Sequence, residues 1–143
     1  MERQLTFAPH GHLLTNTAVW SPDSQWIVYD TRSDRTGATF DGTRIERVQR
    51  DTGQVERLYE SNRGACCGVV TYHPRRNRIV FIHGPEDPTP DWSYSAWHRR
   101  GVWIDIDAAS GAQNLDARNL VEPYTAGALR GGSHVHTYSC DDD

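Results

Sequence analysis

The chain has 143 residues, enough for one ordinary domain and too few for two large ones. Its 15 bases, all Arg, face 19 acids for a formal charge of −4, and they form no basic run, which argues against nucleic acid or an anionic membrane surface as partner. Hydrophobic residues make up only 36%, yet five Trp and six Tyr exclude a disordered tail, which would have few aromatics to bury.

The N-terminus, "MERQLTFAPHGHLLTNTAVW", lacks a basic stretch followed by an apolar one, so no secretory signal is expected. No apolar run approaches the roughly 18 residues that cross a bilayer. Cys66, Cys67 and Cys140 are odd in number and two are adjacent, a poor disulfide framework. A reduced, cytoplasmic setting is the expectation.

The first predicted element is a hairpin at "WSPDSQWIVY", Trp20 to Tyr29: Pro22 sets φ for a tight turn, polar residues close it, and an apolar strand follows from Trp26. A second hairpin, "RIERVQRDTGQVERLYE", turns at Asp51-Thr52-Gly53, where Gly supplies the φ > 0 position. Tyr72 to Phe81, "YHPRRNRIVF", then repeats the first hairpin without gaps, 52 residues on. After a long insertion, "GVWIDIDAASGAQNLDA" repeats the second hairpin around Ala109-Ser110-Gly111, 58 residues beyond its counterpart. A third start appears at Tyr138-Ser139-Cys140-Asp141-Asp142, a further 66 residues on.

Two hairpins per period make four strands per period, the pattern of β-propeller blades. The predicted fold is therefore all-β: about two four-stranded blades plus the first strand of a third. Blade one spans about 15–62, blade two about 66–120, and the start of blade three about 130–143. A β-sandwich or small barrel is the alternative, and neither explains the repeat. A propeller ring needs more blades than these. The expectation is that missing blades belong to a longer parent, or that self-association completes the domain.

The Pro-Asp-Ser hairpin resembles the repeat of TolB-like, WD40-like propellers. Over nearly the whole chain, "LTFAPHGHLLTNTAVWSPDSQWIVYDTR", "GVVTYHPRRNRIVFIHGPEDP", "HRRGV" and "LRGGSHVH" resemble the N-terminal third of the YidR-like proteins. That bacterial family is regarded as propellers of uncharacterised activity. A more distant resemblance is to oligogalacturonate lyases, cytoplasmic propellers that cleave unsaturated uronides with a bound divalent metal. Their His-x-His pair matches His134 and His136, while the glutamine that precedes it in that family falls on Gly131 here.

"SHVHTY", Ser133 to Tyr138, is predicted to form the innermost strand of blade three. There His134 and His136 would point to one face. They could ligate a divalent transition metal (Mn, Zn, Fe or Ni) or simply line the channel mouth. Gly131 and Gly132 would admit a ligand close to the backbone or serve as an entry loop, and Arg130 would meet a carboxylate or solvent.

The insertion "FIHGPEDPTPDWSYSAWHRRGV" carries Trp92, Trp97, His98, Arg99 and Arg100. Long loops on rigid scaffolds often carry binding residues. The Trp rings would stack on sugars or cover a blade edge, and the Arg side chains would meet carboxylates or face water. Cys66 and Cys67 read as a buried, inert pair. Two functions follow. One is a scaffold that binds an acidic sugar, another small molecule or a protein segment. The other is a metal-dependent uronide lyase with His134 and His136 as ligands and His83 or His98 as auxiliaries.

Overall fold

A computed structural model describes residues 1–108, 110–115, 119 and 124–141. Ala109 of the second turn, the end of its hairpin at Asp116 and Ala117, the expected blade limit at 120, and Asp142 and Asp143 lie outside the described residues.

Two four-stranded antiparallel sheets make up the molecule, with no helix among the described residues. Sheet 1 contains β1 (Gly11–Leu13), β2 (Trp26–Arg32), β3 (Arg44–Gln49) and β4 (Val55–Glu60), in that order. Sheet 2 repeats the order with β5 (Cys67–Tyr72), β6 (Arg78–His83), β7 (Arg100–Asp105) and β8 (Gln113–Asn114). Among the described residues, no helix is long and apolar enough to cross a membrane.

The 52-residue period holds at the level of single hydrogen bonds. Trp20 bridges Ile27, as Tyr72 pairs with Ile79. Ser21 N donates to Trp26 O at 2.9 Å, as His73 N donates to Arg78 O at 2.8 Å. Different side chains close the same turn. In the first, Asp23 Oδ1 accepts from Gln25 N at 3.0 Å; in the second, His73 Nδ1 accepts from Arg75 N at the same distance. The outer hairpin of sheet 1 closes as its Gly predicts, with Gly53 at φ 75°.

The inner strands depart from the expected plan. Sheet 1 begins at Gly11, ahead of residue 15, because its inner strand is split. Gly11 to Leu13 pair with one end of β2, and Val19 and Trp20 with the other, while residues 14–18 loop out. In β5 the interruption is smaller: Gly68 pairs with Ile82 and Thr71 with Val80, so Val69 and Val70 together oppose Phe81. Val69 sits at φ 58°, a left-handed conformation that a β-branched residue adopts only under constraint. The constraint comes from sheet 1. Asp30 Oδ1 accepts from Val69 N at 2.9 Å, and Asn16 Nδ2, in the loop-out, donates to Val69 O at 3.3 Å.

The core lies between the sheets. Val28 and Ile45 from sheet 1 meet Cys67, Tyr72, Ile79, Phe81, Val102 and Ile104 from sheet 2. An ion pair is buried with them: Asp30 Oδ2 lies 2.7 Å from Arg32 Nη2, with side chains 0% and 2% exposed. Gly68 makes the room, since a Cβ there would sit 2.7 Å from Asp30 Oδ2. Such a pair contributes little net stability but locks one arrangement, because either partner alone would be a buried, unmatched charge.

The segment after Arg130 forms no strand. Gly131, Gly132 and Val135 all have positive φ, at 121°, 98° and 45°. Val135 follows Val69 by 66 residues, the same interval that separates Tyr72 from Tyr138, and shares its left-handed backbone. The segment lies on the far side of sheet 2. Gly101 N donates to Ser133 Oγ at 3.1 Å, and the Tyr138 and His73 rings stand 4.5 Å apart.

Candidate functional site: an aromatic and basic patch

The connection between β6 and β7, residues 84–99, is the longest between adjacent strands of one sheet. Its base is fastened to the β4–β5 connection and to β7. Glu86 lies 3.3 Å from Arg63 and 3.5 Å from Arg100, Asp87 pairs with Arg63, and Asp87 N donates to Arg63 O at 2.6 Å. Further out, Tyr94 stacks on Phe40 from the β2–β3 connection at 4.4 Å, and Arg32 lies over Phe40 at 4.3 Å. Thr89 and Trp92 exchange backbone hydrogen bonds of 3.2 and 3.1 Å, a tight turn that presents Trp92.

The tip collects four of the residues singled out in the sequence. The Trp92 and His98 rings are 3.9 Å apart, and Trp97 meets His98 edge-on at 6.0 Å. Arg130 approaches from the next segment, its guanidinium 5.6 Å from the Trp92 ring centre and 3.2 Å from that of Tyr124. Gly132 N donates to Arg99 O at 2.8 Å and holds that segment against the loop. His98 Nδ1 lies 3.0 Å from Ser93 O, and a carbonyl can only accept, so Nδ1 carries the proton and Nε2 is the ring's acceptor. Trp97 is 68% exposed, the most open aromatic of the group.

The other two basic candidates go elsewhere. Arg99 Nη1 donates to Tyr94 Oη at 3.2 Å, beside the patch. Arg100 turns inward, is buried, and pairs with Glu86; burial lowers its pKa. His83 is also interior. Its Nδ1 donates to Gly84 O at 2.7 Å, and its Nε2 accepts from Tyr59 Oη at 2.8 Å. Burial, then the Arg100 charge, push its pKa down to about 4, and burial raises the Tyr59 hydroxyl to about 12. It is thus a neutral, hydrogen-bonded core histidine.

His134 and His136 do not share a strand face, because Val135 between them is left-handed. His134 is exposed, whereas His136 lies against Gly101, where a Cβ would come within 2.7 Å of its ring. Among the described residues, no group of three or more His, Cys, Asp or Glu side chains could hold a metal ion. All three cysteines are free; burial pushes the Cys66 thiol up to about 11 and also raises that of the fully buried Cys67, so neither is a ready nucleophile.

Sequence reading missed Phe40, Tyr94 and Tyr124. The Phe40–Tyr94 contact crosses from one connection to another, and Tyr124 meets Arg130 within one irregular segment; no spacing along the chain encodes either. Trp92 and Trp97 could be found because two indoles in a polar, Pro-rich insertion have no strand to belong to.

Comparison with known proteins places the chain in its family. It is 54% identical over 137 residues to a protein of Escherichia coli (strain K12) described as "Uncharacterized protein YidR", covering 96% of this chain and 32% of that protein. The chain therefore spans about a third of the length of that curated relative. No solved structure matches. The family model described as "Protein of unknown function (DUF3748)" matches residues 66–143, and the chain belongs to that family, with YidR as a relative.

Proposed function

We propose that the chain forms two successive blades of a TolB-like β-propeller and binds an acidic saccharide at the patch formed by Trp92, Trp97, His98, Tyr124 and Arg130. The observation that carries this reading is the convergence of indole, imidazole and guanidinium at the tip of a loop fastened to the β4–β5 connection and to β7. Sugar rings offer an apolar face of C–H groups to an aromatic ring and a hydroxyl rim to polar neighbours. A uronate adds a carboxylate, and a guanidinium flat on an aromatic ring keeps its N–H edge available for bidentate pairing. His98 Nε2 would accept from a sugar hydroxyl. The anchors at Glu86, Asp87 and Tyr94 limit the ordering that binding would otherwise require. The blade reading is supported by the repeated register and by sheets packed face to face.

The test is calorimetric titration with digalacturonate and, in parallel, with a neutral disaccharide of the same linkage. Binding should favour the charged ligand, and Arg130→Met should weaken it by roughly 10- to 100-fold, the range of a charge-assisted hydrogen bond. Equal binding of both ligands, or none at millimolar concentration, would overturn the proposal. The lyase reading gains no support from His134 and His136, which lack a shared strand face and, among the described residues, a third ligand.

A further inference from the structure

The two indoles of the patch are presented by different turns and meet different neighbours. Thr89 and Trp92 close the first turn: besides the paired backbone bonds, Trp92 N donates to Thr89 Oγ1 at 3.1 Å. Ser95 to His98 close the second, where His98 N donates to Ser95 O at 3.1 Å. Trp97 stands at the third position of that turn with its ring outward, 68% exposed. Both indoles border the His98 imidazole, Trp92 tilted at 42° and Trp97 nearly perpendicular at 81°. Among the described residues, no ring contact joins Trp92 to Trp97 directly, so they are two platforms and not one surface.

Charge separates the two platforms. Arg130 lies 5.6 Å from the Trp92 ring centre and 3.2 Å from that of Tyr124. The turn between Tyr124 and Arg130 is closed by Ala128 N donating to Thr125 O at 3.1 Å and Asn119 Nδ2 donating to Thr125 Oγ1 at 3.2 Å. Trp97 has no such neighbour. Arg99, two residues on, has its guanidinium 6.0 Å from the Tyr94 ring centre and donates to Tyr94 Oη, while Arg100 is buried against Glu86. Among the described residues, no cation lies over the Trp97 ring. An indole face without a cation takes the C–H face of a sugar whether or not that sugar carries a carboxylate. One beside a guanidinium favours the sugar that does. His98 Nε2, the acceptor on the shared imidazole, borders both platforms.

We infer that the patch is a pair of unequal subsites that reads two consecutive sugar units: a uronate on Trp92 facing Arg130, and a second unit on Trp97 whose charge is not read. The inference rests on the saccharide reading of the patch and narrows it. The ligand class is an oligosaccharide with one obligatory uronate beside a unit that is either acidic or neutral. A free monouronate is a poor ligand, because it fills one platform only. Linking two units makes the second contact intramolecular, so it adds to affinity without a second loss of translational and rotational freedom. Length selection is thereby assigned to Trp97, and charge selection to Arg130 with Trp92 and Tyr124.

The experiment is calorimetric titration of the full chain with galacturonate, digalacturonate, and disaccharides of galacturonate and one neutral hexose prepared with the acid at either end. Digalacturonate should bind at least about tenfold more tightly than galacturonate, and the better mixed disaccharide within about threefold of digalacturonate. Trp97→Ala should bring digalacturonate to within about threefold of galacturonate, and Trp97→Phe should restore most of the difference. Trp92→Ala should weaken both ligands by about tenfold. Trp97 stands outside the core, so the Trp97→Ala protein should melt as the unaltered one does. If a variant does not fold, the ligand series on the unaltered chain decides alone. Three results would each overturn the inference and leave the saccharide reading in place. They are a smaller difference between galacturonate and digalacturonate, a preference for digalacturonate that survives Trp97→Ala, and mixed disaccharides that both fall outside the stated margin. No binding of any uronate would remove the saccharide reading itself, and the inference with it.

Discussion

In sheet 1 the cation–indole pair has Trp26 on β2 and Arg47 on β3; in sheet 2 the arginine is on β6, as Arg78, and the indole on β7, as Trp103. The exchange leaves the 4.1 Å distance unchanged, so packing at this position selects a cation over a ring and not a particular residue at either place. Elsewhere the sheets diverge in kind. Asp30 of sheet 1 is a buried carboxylate that holds the bulge of β5, while its counterpart in sheet 2 is Ile82. The β2–β3 connection covers residues 33–43 and the β6–β7 connection 84–99, and the longer one carries the aromatic patch. Strand register is what the two sheets share; connections and buried charges are where chemistry differs.

The sharpest way to break the comparison is at Asp30. Asp30→Ala should cost about 3–5 kcal/mol in urea denaturation, because it leaves Arg32 buried and unmatched. Asp30→Leu with Arg32→Met should recover most of the loss, as sheet 2 does with an apolar residue at the corresponding place.

A second test uses pH. His83 has no titrating counterpart, since Thr31 occupies its place in sheet 1. Its folded pKa is depressed, so its contribution is fully present above the unfolded value of 6.5 and is lost as pH falls towards about 4. Asp30 acts in the opposite sense. Burial raises its pKa to about 6 despite Arg32, so its contribution is present below 3.8 and lost as pH rises through 6. Between pH 7 and pH 4.5, His83→Thr should therefore lose roughly 2 kcal/mol less stability than the unaltered protein. An identical loss in both proteins would show that His83 does not titrate as buried.

The smallest expected difference separates the two arginines. Arg47→Met removes links to Glu56, Tyr72 and Asn77 and should cost about 1–2 kcal/mol. Arg78→Met removes only a half-exposed bridge to Asp105 and the ring contact, and should cost about 0.5–1 kcal/mol. Equal costs would mean that the inter-sheet links of Arg47 contribute nothing.

The repeat was legible because turns are chemically specific: an aromatic, a Pro and polar closers recur at a fixed interval, and the register follows them. β1 was not legible, because three residues separated by a loop-out from the rest of their strand carry no alternation to detect. The expected strand at Ser133 to Tyr138 failed for a related reason. Val favours extended backbone, and nothing in "SHVHTY" announces that Val135 adopts φ 45°. Val69 does the same in β5, where constraint from Asp30 and Asn16, far away in the chain, overrides local preference. At the patch, composition pointed to Trp92 and His98, while the partners that orient the loop, Phe40 and Tyr94, emerge only once two connections are side by side.

The central claim is that register makes the fold and the β6–β7 connection makes the site. Titration of the Trp92→Ala/Trp97→Ala double variant with digalacturonate, with its thermal melt alongside, tests both halves. The melting temperature should stay within about 2 °C of the unaltered protein, as for substitutions outside the core, while binding is lost. Retained binding, or a melt that collapses together with it, would contradict the claim.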